Sequence, residues 1–155
     1  MILFKKGFGG LMKYKVEVEI DRPVDEVVNL FDNPDNYEKW MEGLQSYEHL
    51  SGEPGQPGAK TKMKFKIGKR EIEMVETIVS RNLPSEYTVN YDAKNVHNVV
   101  INRFIPVENN RTKYLTENEF QFSGYMKLFG LFMPGMFKKS SRKYLNDFKN
   151  FVERQ

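Results

Sequence analysis

The chain has no cysteine, which removes disulfide cross-links, thiol nucleophiles and cysteine–zinc sites together. Its histidines, His49 and His97, are the only two, too few for a histidine-rich metal centre, so no metal or organic cofactor is expected. No apolar run approaches the ~20 residues needed to span a bilayer. The first ten residues lack the apolar core of a signal peptide, and a cytoplasmic location is the expectation. Catalytic signatures are missing as well: there is no nucleophile elbow, phosphate-binding loop, dinucleotide fingerprint or HExxH zinc motif.

Charge of one sign is also scarce. The balance of 24 basic and 21 acidic residues leaves a net charge of +3, with the two signs interleaved through most of the chain. That pattern argues against nucleic acid as a partner. What is plentiful is aromatic and methionine side chains, 14% aromatics and eight methionines, enough for a substantial core in one domain. The glycines of residues 1–12 break any periodicity, so these are expected to form an N-terminal extension, with residues 13–155 as a single domain.

The last 20 or so residues organise the rest. At helical period, Met133, Met136, Phe137, Tyr144, Phe148, Phe151 and Val152 share one side, opposite Lys138, Lys139, Arg142, Lys143 and Lys149. No second long helix precedes this one, so its stripe must be buried against strands. Tyr14, Val16, Val18 and Ile20 alternate with charged residues, as a half-buried strand does. Asp21-Arg22-Pro23 and Asn33-Pro34-Asp35 each start a short helix, the second ending near Trp40. Thr61, Met63, Phe65 and Ile67 then alternate with four lysines. A two-residue turn at Gly68-Lys69 pairs Met63 with Met74 and Phe65 with Ile72 inside. The same turn sets Lys64 against Glu73 and Lys66 against Glu71 outside, so the lysines read as a solvated face.

The strand near Val96–Ile105 is apolar on both faces, so periodicity does not orient it. A three-residue loop at Ala93-Lys94-Asn95 and a two-residue turn at Asn109-Asn110 both point His97 and Arg103 inward, together with Thr116, Asn118 and Glu76. Two readings of that inward polar set stay open. Arg103 either pairs with a buried Glu76 or orients the polar end of a ligand, and His97 is either a satisfied core histidine or part of the same site. Glu117 and Glu119 face outward in this register.

The order of elements resembles the helix-grip fold of the START/SRPBCC superfamily, the group containing the birch-pollen allergen, and within it the bacterial polyketide cyclase/dehydrase-like branch. Residues 16–27, residues 31–40, the Pro-Gly loop ending at Gly58 and residues 111–117 carry the similarity, which spans residues 13–153. The resemblance implies an α+β architecture: a seven-stranded curved antiparallel sheet wrapped around a long C-terminal helix, with two short helices between strands one and two. It also implies a cavity between sheet and helix that accepts a hydrophobic molecule. Ring-hydroxylating relatives carry iron–sulfur ligands that this chain lacks.

The expected function is binding of a small lipid, isoprenoid, aromatic or polyketide-like molecule. Its lining is expected from Trp40, Met63, Phe65, Met74, Tyr87, Tyr91, Phe120, Met133, Phe137 and Tyr144, with Glu76, His97, Arg103 and Asn118 as polar members. The alternative is a cyclase, dehydratase or isomerase in the same cavity, with Arg103 polarising a carbonyl and Glu76 or His97 carrying a proton. A third expectation concerns the apolar segment at residues 125–137, followed by Lys138 and Lys139. It either closes one end of the cavity or meets a membrane surface or another protein.

Overall fold

The computed structural model describes the backbone of Leu3–Phe4 and all of residues 10–155. Its strands are β1 (Leu3–Phe4), β2 (Leu11–Ile20), β3 (Leu44–Ser51), β4 (Lys60–Ile67), β5 (Arg70–Asn82), β6 (Glu86–Ala93), β7 (Val96–Val107) and β8 (Arg111–Phe122). They form one antiparallel sheet in the order β1-β2-β8-β7-β6-β5-β4-β3. The seven strands from β2 onward are the expected curved sheet, and β1 adds Leu3 opposite Lys13 and Phe4 opposite Met12 at its edge. Helices α1 (Val24–Phe31) and α2 (Tyr37–Trp40), with a 3-10 turn at Pro34–Asn36, lie between β2 and β3. Helices α3 (Met126–Phe132) and α4 (Pro134–Glu153) follow β8. The architecture is a helix-grip fold.

Local chemistry explains the elements. In β2, Met12, Tyr14, Val16 and Ile20 are buried while Lys13, Lys15, Glu17 and Glu19 are exposed, the period-two pattern of a strand with one wet face. Asn33 Oδ1 accepts a bond from the Asp35 backbone N–H at 3.0 Å, starting the 3-10 turn. At the β4–β5 hairpin Gly68 takes φ +63, and the ladder pairs Met63 with Met74, Lys64 with Glu73 and Phe65 with Ile72 as the turn chemistry predicts.

Strand β7 differs from expectation by one residue on both sides. Ala93 pairs with Val96, leaving a two-residue turn at Lys94-Asn95. Val107 pairs with Arg111, leaving a three-residue loop at Glu108-Asn109-Asn110. The two shifts compensate, so the strand turns over as a unit. Asn98, Val100, Asn102 and Phe104 face the interior, and His97, Val99, Ile101, Arg103 and Ile105 face outward.

The interior divides along α4. Its C-terminal half buries Leu145, Phe148, Phe151 and Val152, each contributing about 1.5–3 kcal/mol by leaving water. There the space is filled by rings. Phe31 lies 4.9 Å from Phe104, 5.9 Å from Tyr114 and 5.6 Å from Phe148, and Trp40 lies 4.8 Å from Phe148. The N-terminal half, from Phe137 to Tyr144, stands off the sheet. Tyr14 ties it down there, donating to the Phe137 carbonyl at 3.0 Å and meeting Ser141 Oγ at 2.6 Å. Met133 is not part of the buried stripe: it breaks the chain between α3 and α4 with φ −130, ψ 49, and it is exposed.

Candidate ligand-binding cavity

Between the sheet and the N-terminal half of α4 lies a cavity of about 540 Å³, inside the ~300–1,000 Å³ range of small-molecule sites. Strands β4 and β5 contribute Met63, Phe65, Ile72 and Met74, strands β6 to β8 contribute Tyr91, Val96, Asn98, Val100, Asn102, Thr116, Asn118 and Phe120, and α4 contributes Phe137, Ser140, Ser141 and Tyr144. The wall is mostly apolar, and unbranched methionines let it adapt to an irregular guest. Its polar groups are neutral. Charge appears where Glu42, Lys143 and Asp147 join the lining, with Lys143 Nζ 2.9 Å from Glu42 and 2.7 Å from Asp147.

Eight of the expected lining residues meet here: Met63, Phe65, Met74, Tyr91, Asn118, Phe120, Phe137 and Tyr144. Trp40 and Tyr87 are buried in the aromatic core instead. The Trp40 indole N–H is the one buried side-chain polar atom without a partner among the described residues. Met133 points away to solvent. Arg103 and His97 lie on the outer face of the sheet, because β7 is turned over. Arg103 Nη2 meets Glu117 at 3.2 Å, and His97 Nδ1 meets Asp92 at 2.5 Å beside a shallow open depression. That depression is as voluminous as the cavity but open and half polar, so it lacks the enclosure that recognition of an apolar guest needs.

The residues that sequence reasoning missed sit on β7. Asn102 is 4% exposed, donates to the Tyr87 carbonyl at 3.0 Å and accepts from the Tyr114 hydroxyl at 2.7 Å. Asn98 donates to the Glu119 carbonyl at 3.1 Å. Both asparagines therefore satisfy the requirement that buried amides be hydrogen-bonded. Asn118 donates to Thr116 Oγ1 at 3.2 Å, which leaves its own amide oxygen as an acceptor on the cavity wall.

Glu76 is 6% exposed and lies beside Tyr91, its partner across the β5–β6 ladder, on the same face of the sheet. The two side chains are hydrogen-bonded. The anticipated buried ion pair with Arg103 does not form, and no salt bridge holds Glu76 among the described residues. Burial raises the Glu76 carboxyl above its ordinary value of 4.5, and the Tyr91 hydrogen bond opposes this only in part. The Tyr91 phenol is itself pushed well above 10.0, first by burial and then by the neighbouring carboxyl. Burial also raises the phenol of Tyr14, to about 12. Away from Glu42, Lys143 and Asp147, the polar groups that line the cavity are hydroxyls and amides.

Family and structural comparisons agree with this fold. Residues 12–153 match the family described as "Polyketide cyclase / dehydrase and lipid transport". The chain belongs to that family. No curated protein matches it in sequence. In fold it is similar to the ZhuI aromatase/cyclase from Streptomyces sp. R1128, with TM-score 0.76 and 13% identity over 93% of this chain and 94% of that one. It is similar too to Ara h 8.0201, with TM-score 0.75 and 14% identity over 94% and 99% of the two chains. Norcoclaurine synthase from Thalictrum flavum, solved with dopamine and hydroxybenzaldehyde, superposes with TM-score 0.72 and 13% identity over 100% and 96%. Among the described residues this family member has no helix long and apolar enough to cross a membrane and no metal-ligating cluster.

Proposed function

We propose that this protein binds a small, uncharged hydrophobic molecule in the space between the sheet and the N-terminal half of α4. The observation that carries the reading is the match between volume and chemistry: about 540 Å³ walled mainly by apolar side chains, with amide and hydroxyl groups as its inner polar members. A guest ion seated against the inner wall, away from Glu42, Lys143 and Asp147, would be desolvated without a counter-ion, which costs several kcal/mol. A guest with one or two oxygen functions would find partners in Tyr91, Asn98 and Asn118. The family's description, which joins cyclases and dehydrases with lipid transport, supports the same class of ligand. Titration with the neutral fluorescent probe N-phenyl-1-naphthylamine is the test. The reading predicts saturable binding displaced by medium-chain alcohols or aromatic ketones, and fails if the probe stays as dim as in buffer.

One observation favours a catalytic variant of this reading. Tyr91 touches the cavity while Glu76, held toward its protonated form, lies beside it on the same face of the sheet. In that variant the protonated Glu76 donates to the Tyr91 oxygen, which frees the single Tyr91 O–H to donate to a carbonyl of the guest. Loss of turnover in Tyr91→Phe with retained guest affinity would favour an enzyme, and equal loss of both would favour a binding module.

A further inference from the structure

Of the two readings of the segment after β8, closure of the cavity or contact with a membrane or protein, the first is not supported, since the residues of α3 do not line the cavity. What anchors α3 is Gly130: a Cβ placed there would lie 2.6 Å from the Phe122 ring, so only glycine permits the close approach. Turned away from that contact are Tyr125, Leu128, Leu131 and Phe132, which occupy an arc of ~120° at helical spacing. They are 55%, 58%, 65% and 73% exposed, with Met133 beside them at 47%. Large apolar side chains that stand this far out, consecutively, mark a contact surface rather than ordinary surface scatter.

The surrounding charge says what the surface meets. From Phe122 to Asn146 the chain carries Lys127, Lys138, Lys139, Arg142 and Lys143 and no acidic residue. Lys143 is committed to Glu42 and Asp147; Lys127, Lys139 and Arg142 are exposed. None of the five apolar side chains lines the cavity or the depression beside His97. An exposed apolar face with cations within and directly after it in the chain fits the acyl–headgroup boundary of an anionic bilayer, where Tyr and Phe sit well and lysines meet phosphate.

We propose that α3 and the first turns of α4 dock the protein on an anionic lipid bilayer, with Leu128, Leu131 and Phe132 inserted and Lys127, Lys138, Lys139 and Arg142 over the headgroups. Phe137, one turn into α4, lines the cavity, so docking brings the cavity's α4 wall next to the source or sink of a hydrophobic guest. The proposal stands on this surface and not on the cavity's contents.

Flotation of the full chain with vesicles of phosphatidylcholine alone, or mixed with phosphatidylserine, tests it. Binding to the mixed vesicles is expected to exceed binding to neutral ones by about tenfold or more at low salt, and to weaken as salt screens the lysines. Leu128→Ser/Leu131→Ser/Phe132→Ser, three solvent-side changes, is expected to abolish flotation while its melting transition stays that of the parent. Lys138→Glu/Lys139→Glu is expected to remove the anionic preference. No flotation with either vesicle overturns the proposal, as do equal binding to both or unchanged binding of the triple variant. Concentration-dependent dimerisation lost in the triple variant, without vesicle binding, assigns the surface to a second copy and likewise overturns it.

Discussion

Arg103 and Glu117 meet on the outer face of the sheet at 3.2 Å, where Glu117 also takes Lys15 at 2.6 Å. The arginine that a sequence reading sends into the cavity is thus part of a solvated charge ladder, and its contribution is that of a surface pair. Arg103→Ala is expected to cost less than about 1 kcal/mol in urea unfolding and to leave probe affinity within about twofold. A large loss of affinity would mean that the guest reaches the outer face.

Glu76 has the opposite character. Its folded-state affinity for a proton exceeds that of the unfolded chain, because burial disfavours the carboxylate. The folded state therefore binds more protons than the unfolded state above pH 4.5, and stability falls as pH rises from there through the raised pKa. Glu76→Gln keeps an acceptor for Tyr91 and removes the titration. It is expected to gain stability relative to the parent as pH rises from 4.5 and to level off once the parent carboxyl has ionised. Urea unfolding of both proteins from pH 4 to pH 8 (a range of about four units) reads this directly; a pH-independent difference contradicts it.

Gly130→Ala inverts the usual rule. A helical alanine normally gains up to about 1 kcal/mol over glycine, but here the new methyl meets the Phe122 ring. Phe122 is packed between Phe120 at 5.7 Å and Phe137 at 5.0 Å and cannot swing aside freely. The substitution is expected to destabilise by about 1–3 kcal/mol, as overpacking does. A rise in Tm would show that α3 is not seated on Phe122.

Lys143 spans Glu42, after α2, and Asp147, one turn along α4, among the lining residues of the cavity. Being exposed, the bridges add little to stability. Lys143→Ala is expected to speed uptake and release of the probe by a similar factor and to leave equilibrium affinity within about twofold. Stopped-flow fluorescence separates the two rates. A change confined to one of them contradicts the expectation that these bridges across the lining slow passage in both directions equally.

The legible parts of the sequence were those where two signals fell on the same residues. Met63 pairs with Met74 as expected, since strict alternation and a Gly-containing turn both act on that hairpin. Strand β7 was misoriented because its pattern runs against its burial. Val99, Ile101 and Ile105 face outward while Asn98 and Asn102 are buried beside Val100 and Phe104, and hydrogen bonds to Glu119, Tyr87 and Tyr114 satisfy the two buried amides. Loop lengths did not rescue the orientation. Moving one residue from one turn to the other leaves the total unchanged, so agreement between the two turns carries no independent information. The outward face of α3 was equally hidden, because an apolar run does not say which of its residues a neighbour covers.

Native mass spectrometry of detergent-free protein and of Val100→Trp, in which the indole fills the cavity from β7, tests the central claim most directly. The parent is expected to carry a bound hydrophobic molecule that dissociates on collisional activation, and Val100→Trp, with an unaltered charge-state distribution, is expected to carry none. An empty parent that also takes up no N-phenyl-1-naphthylamine, or a guest retained in full by Val100→Trp, would contradict it.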